Sequence, residues 1–144
     1  LRPAMRQWRR YAGQDFAAAR RLALWKAKLR AGWSGVSLRR VDEPTQRIDY
    51  GGKLRIEVAV RLNGLAPDDV ALEVMLGRPG NERASQSTRH ERLAYQRPLP
   101  DTGEHLYALE FAPPIAGRIE YRVRAYPCHE LLTHPFEMGM MVWL

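Results

Sequence analysis

The stretch GRIEYRVRAYPCHELLTHPFEMGMMVW, residues 117–143, decides the fold that we predict for this chain. Apolar and charged side chains alternate along its first part; one side carries Ile119, Tyr121, Val123 and Ala125, and the other carries Arg118, Glu120, Arg122 and Arg124. A period of two predicts a β-strand with one buried face and one solvated face. Because burying a large apolar side chain contributes about 1.5 to 3 kcal/mol, this strand is expected to lie against a second apolar layer, as in a β-sandwich.

The end of this stretch predicts one further strand. Pro127 lacks the N–H that a strand ladder needs, so residues 128–134 are expected to form a turn or loop. The segment from Phe136 to Trp143 is too apolar for a free tail. We therefore expect it to add a strand beside residues 118–126.

The same alternation recurs upstream and predicts five more strands, over residues 36–41, 53–62, 70–76, 88–96 and 104–111. Clusters of Gly, Pro, Asn and Asp separate them. About seven short strands with such turns are typical of an immunoglobulin-like sandwich. The predicted fold class is therefore mainly β, an immunoglobulin-like antiparallel β-sandwich preceded by an N-terminal α-helical segment.

Residues 1–35 have helical spacing instead. We predict a first helix that Gly13 ends, and a second that begins at Asp15 and stops at Gly32. The second helix would bury one apolar stripe, made of Phe16, Ala19, Leu22, Trp25 and Leu29. The chain is thus predicted to have two parts, a helical segment over residues 1–35 and a sandwich domain over residues 36–144.

The net charge of +7 is unevenly distributed. Residues 1–40 contain eleven Arg or Lys and one acid, which gives +10, whereas residues 41–144 contain twelve bases and fifteen acids, which gives −3. A basic helical segment suits either nucleic acid or an acidic protein surface. No apolar run approaches the roughly 20 residues of a membrane span, and the single cysteine, Cys128, fits a reducing cytosol.

Few residues have the spacing of a catalytic or metal site. Cys128 and His129 are neighbours on an extended segment, so their side chains are expected to point to opposite sides. Together with His134 they match no zinc-ligand spacing. The paired carboxylates at positions 42–43 and 68–69 lie in predicted turns, where they ordinarily cap backbone donors. We therefore name no catalytic, cofactor-binding or metal-binding residue.

Aromatic side chains offer another hypothesis, because an exposed ring on a sandwich can stack on a sugar ring. Tyr107 and Tyr121 are predicted to face inward, and Tyr121 resembles the tyrosine that pins one corner of such sandwiches. The remaining candidates for glucan contact are Tyr50, Tyr95, Tyr126 and Trp33.

Two segments carry a resemblance to a known family. FAAAR at residues 16–20, with LWKAKLRAGW at residues 24–33, is similar to the pattern AAR-x-LA-x-WKA-x-[VL]-R-x-x-W, and YRVRAYP at residues 121–127 opens an ending like Y-x-VRV-x-P-x-H. Both patterns resemble those of bacterial α-glucan (glycogen/starch) phosphorylases. The resemblance implies the C-terminal portion of a cytoplasmic enzyme that uses pyridoxal phosphate to release glucose 1-phosphate from α-1,4-glucans. It places the cofactor upstream and none in this chain.

The resemblance also implies partners. The chain begins at Leu1 within a helical pattern, so we expect a piece of a longer protein whose upstream catalytic lobes receive the basic helical segment. The predicted docking residues are Leu1, Met5, Trp8, Arg9, Arg10, Arg20 and Arg21. In isolation, an uncovered helical stripe would drive the chain to form a homodimer.

Two other function classes stay open at this point. A glucan-binding module would need exposed aromatic side chains on a flat face, and affinity electrophoresis on amylopectin would detect it. A nucleic-acid binder using the basic segment would show steeply salt-dependent retention on DNA. No membrane partner is expected.

Overall fold

The computed structural model of the protein describes residues 2–42, 47–49, 51–77, 89–112 and 117–144. It begins with one helix, α1 (Arg2–Gly32), followed by a short 3-10 turn (Trp33–Gly35). A second 3-10 turn spans Pro67–Asp69. The described residues form nine strands, which are β1 (Ser37–Arg40), β2 (Arg47–Ile48), β3 (Leu54–Arg61), β4 (Val70–Gly77), β5 (Arg89–Leu99), β6 (Glu104–Phe111), β7 (Gly117–Arg118), β8 (Glu120–Pro127) and β9 (Val142–Trp143).

Seven of these strands form one antiparallel sheet with the order β1-β3-β6-β5-β4-β8-β9. Strand β5 links its two halves, because residues up to Leu93 pair with β4 and residues from Ala94 pair with β6. The orders β1-β3-β6-β5 and β4-β8-β9 correspond to the four-stranded and three-stranded sheets of an immunoglobulin constant-type sandwich. The mainly β fold class with an N-terminal helix is confirmed, and the strand order is consistent with the immunoglobulin-like arrangement.

The core is one cluster that contains residues from both halves of the sheet. The predicted inward residues of two strands are all buried, namely Leu54, Ile56, Val58, Val60 and Leu62 in or beside β3, and Val70, Leu72, Val74 and Leu76 in β4. Ile119, Val123 and Ala125 are buried as well, and Tyr121 packs at the margin of the cluster. The period-two alternation therefore identified the buried faces correctly.

The strand predicted over residues 118–126 is interrupted at Ile119. Strand β7 pairs with β2 in a separate two-stranded sheet, whereas β8 pairs with β4 and β9. The strand predicted over Phe136 to Trp143 does lie beside β8, but it is only two residues long. Hydrogen-bonded turns replace its first part, because Pro135 lacks an N–H and Gly139 adopts a positive φ of 65°.

The prediction of two helices was wrong, because α1 continues through Gly13 and Asp15 without a break. One glycine in a helix interior costs only about 1 kcal/mol relative to alanine, which good helix formers on both sides offset. Gly32 does end the helix, as predicted. A Cβ atom at Gly32 would lie 3.1 Å from Leu65 Cδ2, so the tight packing at this end also favours glycine.

The predicted apolar stripe of the second helix was wrong in part. Trp25 and Leu29 are buried and Leu22 is half-buried, but Phe16 and Ala19 are exposed. The stripe advanced in steps of three residues, whereas a helix has 3.6 residues per turn, so three such steps rotate Phe16 about half a turn away from Trp25. The division of the chain into residues 1–35 and 36–144 stays a prediction.

None of the described helices combines the length and hydrophobicity that a bilayer-spanning helix requires.

Candidate functional site

The end of α1 is held against the sandwich at a contact that we call the helix seat, formed by Trp25 and Leu29 of α1 with Asp69. The indole Nε1 of Trp25 donates a hydrogen bond to Asp69 Oδ1 at 2.9 Å, and the two α1 side chains belong to the hydrophobic core. Because a buried indole N–H needs a partner, this bond fixes the rotation of α1 as well as its distance from the sandwich.

Asp69 joins three separate segments at the helix seat. Its Oδ2 accepts hydrogen bonds from Lys28 Nζ of α1 and from the backbone N–H of Ala66, both at 2.9 Å. Its backbone carbonyl accepts from the N–H of Cys128 at 2.8 Å, directly after β8. Burial raises the pKa of the Asp69 carboxyl, but the hydrogen bonds from Lys28 and Trp25 lower it further, so the pKa lies below its ordinary 3.8.

A lowered carboxyl pKa predicts how the helix seat responds to acid. The stabilisation from Asp69 should be fully present above its unfolded-state pKa, near 3.8, and should be lost as the pH falls through the lower folded-state pKa. Asp69→Asn should therefore reduce the stability of the 144-residue chain at pH 7, and the deficit should shrink below pH 4. Urea unfolding of both proteins between pH 7 and pH 3 measures this, and a deficit independent of pH would show that the charge of Asp69 is unimportant.

The chain after β8 closes over the helix seat from the other side. The ring of His129 packs on Trp25 with a centroid distance of 4.7 Å, and His129 Nδ1 accepts a hydrogen bond from the N–H of Leu131. Lys26 Nζ lies 3.6 Å from Glu137 Oε2. These contacts give the residues between β8 and β9 a structural role in holding α1.

Cys128, whose spacing to His129 and His134 matches no zinc site, is partly exposed. Arg92 Nη2 lies within 3.7 Å of its Sγ, and His134 Nδ1 accepts from the N–H of Phe136. Cys128 and His129 line a cavity of about 140 Å³, smaller than the roughly 300 to 1,000 Å³ typical of ligand pockets. Within the described ranges, no group of three or more His, Cys, Asp or Glu is arranged to hold a metal ion.

The predicted glucan-contact residues lie in different places. Trp33 and Tyr126 are buried, with 9% and 6% of their surface exposed, so neither presents a ring face to solvent. Tyr95 is 41% exposed; its hydroxyl lies 3.2 Å from His105 Nδ1 and its ring packs edge-on against Tyr107. Tyr50 lies outside the described residues. Among the described candidates, Tyr95 alone presents an exposed ring.

The predicted docking residues are only partly described. Arg20 and Arg21 are exposed on α1. The helix includes positions 5, 8, 9 and 10, but the side chains of Met5, Trp8, Arg9 and Arg10 lie outside the described part of the chain, as does Leu1. Of the predicted docking surface, the structure therefore describes only the side chains of Arg20 and Arg21.

Sequence reasoning missed a cluster of arginines and aromatic rings on the outer face of β4, β8 and β9. Arg124 donates two hydrogen bonds to Glu73, and its guanidinium carbon lies 4.8 Å from the ring centre of Phe136. Arg122 lies 4.6 Å from the ring centre of Trp143. The outward position of both arginines was visible in the alternation, but the strand register, which opposes Arg124 to Glu73 and to Trp143, was not.

Tyr107, which was predicted to face inward, is buried and ties two parts of the fold together. The Tyr107 hydroxyl donates to the backbone carbonyl of Pro67 at 3.0 Å, which ties β6 to the turn that carries Asp69. The Tyr121 hydroxyl accepts a hydrogen bond from Arg40 Nη2 at 2.8 Å. Both hydroxyls thus link strands to neighbouring segments, and the corner role of Tyr121 stays a prediction.

Comparison with known proteins gives two kinds of match. Residues 33–144 match the family described as glycogen phosphorylase C-terminal domain. Over 142 aligned residues the chain is 30% identical to a glycogen phosphorylase of Mycobacterium bovis and to one of Mycobacterium tuberculosis, covering 96% of this chain and 16% of each relative. It is 29% identical to a maltodextrin phosphorylase of Thermococcus litoralis over 134 residues, which covers 90% of this chain and 15% of the relative. The chain thus spans about one-sixth of the length of these relatives.

Proposed function

Because this chain belongs to the glycogen phosphorylase C-terminal domain family, we propose that it is the non-catalytic C-terminal part of an α-glucan phosphorylase. The parent enzyme would cleave α-1,4-glucans with phosphate and release glucose 1-phosphate. The names of the relatives, glycogen phosphorylase and maltodextrin phosphorylase, support this reaction. We place the parent enzyme in the cytoplasm, as the sequence resemblance implied.

Within that enzyme, the role we propose is to dock on the catalytic lobes and stabilise them. The observation that carries this role is the helix seat, where Trp25 and Leu29 join α1 to the core of the sandwich. Because α1 is fixed to the sandwich in this way, it would hold the sandwich in a defined position relative to the catalytic lobes that we place before it in the chain. The basic charge of residues 1–40 supports an acidic partner surface.

Pyridoxal phosphate, the cofactor implied by the family, does not fit the described residues. A lysine that holds this cofactor must reach it in a site that also binds its phosphate. The three lysines of the chain instead pair with carboxylates: Lys26 with Glu137, Lys28 with Asp69 and Lys53 with Glu110. We therefore assign the cofactor to the upstream lobes and derive no catalytic step from this chain.

The experiment that tests this function compares the 144-residue chain with the full-length protein that contains it. With pyridoxal phosphate, phosphate and maltodextrin, the full-length protein should release glucose 1-phosphate, and the 144-residue chain should release none and show no absorbance from a bound cofactor. Product from the short chain would overturn its non-catalytic role. A full-length protein that binds maltodextrin without phosphorolysis would overturn the phosphorylase assignment.

The alternative functions gain less support. A glucan-binding module would have to rely on Tyr95 among the described candidates, because Trp33 and Tyr126 are buried. A nucleic-acid binder would need a continuous basic surface on α1, but Lys26 and Lys28 are paired with carboxylates of the sandwich. Docking within the parent protein accounts for both observations, and self-association through α1 is the outcome we propose for the chain in isolation.

A further inference from the structure

Helix α1 has two apolar faces, of which the sandwich covers one. Trp25 and Leu29 lie in the helix seat, whereas Phe16 and Leu24 are 70% and 65% exposed, more than the other exposed large apolar side chains of the described residues. Phe16 precedes Trp25 by nine residues, or about two and a half turns, so the two side chains project in opposite directions. An amphipathic helix that packed only on the sandwich would carry polar side chains at these positions.

The exposed face of α1 has the ridges and grooves of a surface that packs against another helix. Phe16, Arg20 and Leu24 follow one another at intervals of four residues and form a ridge of large side chains. Beside this ridge runs a second row at the same interval, made only of exposed alanines: Ala19, Ala23, Ala27 and Ala31. Rows at intervals of four residues are the ridges that interlock in the commonest class of helix packing, and small residues let the partner backbone come close. The occupant that this surface fits is a helix.

The basic residues of α1 also differ between its two faces: the lysines face the sandwich and the arginines at positions 20 and 21 face solvent. Lys26 and Lys28 pair with Glu137 and Asp69 of the sandwich. Arg20 and Arg21 are exposed, and no described carboxylate forms an ion pair with either of them. Arg20 lies inside the apolar ridge, so a partner that covers this ridge would have to supply an acidic side chain to the guanidinium.

The comparisons indicate where the partner helix comes from. The family match begins at Trp33, directly after α1 ends at Gly32. The matches to whole phosphorylases cover up to 96% of this chain, so they extend through most of α1. Helix α1 therefore lies within the alignment to the longer relatives but outside the match to the C-terminal domain family, which fits a place at the junction with the longer region that we propose to precede it.

We infer that the Phe16–Arg20–Leu24 ridge and the adjacent alanine row form the interface between this domain and the upstream catalytic region of the same protein, and that a helix bearing at least one carboxylate occupies it. This inference rests on the proposed function, since it takes the upstream region to be that of the parent phosphorylase. It makes α1 a shared element, with one face in each domain.

Site-specific photo-crosslinking in the full-length protein tests the interface. A benzophenone amino acid placed at position 16 or 24 should crosslink to peptides upstream of Leu1 in the same polypeptide, at a yield at least about tenfold above that from position 101, in the exposed turn between β5 and β6. Crosslinks to a second copy would instead show that the face is an interface between copies. Yields no higher than at position 101 would show that it is uncovered, and either result overturns the inference.

A charge substitution supplies the second measurement. Leu24→Glu should lower the thermal midpoint of the full-length protein and leave unchanged that of the 144-residue chain, measured at a concentration where this chain is monomeric. Leu144→Glu is the matched control, because Leu144 is also exposed but lies at the other end of the chain. Equal effects of Leu24→Glu on both proteins would contradict the proposed interface.

Failure of the inference can be separated from failure of the proposed function. Phosphorolysis by a full-length protein whose position 24 crosslinks to a second copy would remove the interface and keep the enzyme assignment. Upstream crosslinks in a protein without phosphorolysis would keep the interface and remove the enzyme assignment. Sedimentation equilibrium of the isolated chain adds a check, because a Phe16→Ser, Leu24→Ser variant should dissociate any dimer formed through the free ridge.

Discussion

Replacing Leu29 by alanine is expected to lower the free energy of unfolding of the 144-residue chain by about 2 to 5 kcal/mol. Leu29 is fully buried, and it lies one turn from Trp25 in the helix seat. Its truncation would leave a cavity between α1 and the sandwich, where the neighbouring side chains are held by the Trp25–Asp69 hydrogen bond and cannot collapse freely. Urea unfolding followed by tryptophan fluorescence measures the loss.

The same helix provides the control for this substitution. Leu24→Ala changes the same residue type five positions earlier, where the side chain is exposed, and should alter the free energy of unfolding of the monomeric chain by no more than about 0.5 kcal/mol. Similar losses for the two variants would mean that α1 is not anchored through Leu29. In the full-length protein Leu24→Ala should become destabilising, because the proposed interface would then bury Leu24.

Much of the sandwich could be predicted because its strands have one buried face. Apolar residues occupy every second position in β3, at Leu54, Ile56 and Val58, and again in β4 from Val70 onward. This spacing can be read from neighbouring residues alone, and all of these residues are buried in the core. Helix α1 was harder to predict. Apolar residues of its two faces alternate along the sequence. A stripe drawn in steps of three residues therefore assigned Phe16, on the exposed face, and Trp25, on the buried face, to the same side of the helix.

The candidate site depends on contacts between distant parts of the chain, which the sequence does not display. Asp69 was predicted to cap a turn, and it does accept from Ala66, but its bonds to Trp25 and Lys28 span more than 40 positions. Tyr126 lies on the predicted solvated side of its strand and was a candidate for glucan contact. It is buried because Phe136, from the turns after β8, packs against its ring at 5.1 Å.

Ending the chain at Pro135 is expected to remove most of its stability. The deleted residues supply the two-residue pairing of β9 with β8 and the half-buried side chains of Met138, Met140 and Val142, which pack against the core. Each buried large side chain that is lost costs about 2 to 5 kcal/mol when fully buried and less when partly buried. Even the reduced sum approaches the roughly 5 to 15 kcal/mol that stabilises a typical domain.

The truncation should also release the helix seat and the outer arginine cluster. Glu137 would no longer pair with Lys26, and Arg124 would lose the rings of Phe136 and Trp143 while keeping Glu73. Circular dichroism should therefore show a chain that is largely unfolded at 25 °C. Leu144→Ala is the control, since it shortens only an exposed side chain and keeps the hydrogen bond from the Leu144 N–H to the carbonyl of Val123 in β8. A truncated chain with the thermal midpoint of the parent would show that β9 and the turns before it contribute nothing to the fold, and that β8 alone completes its half of the sheet.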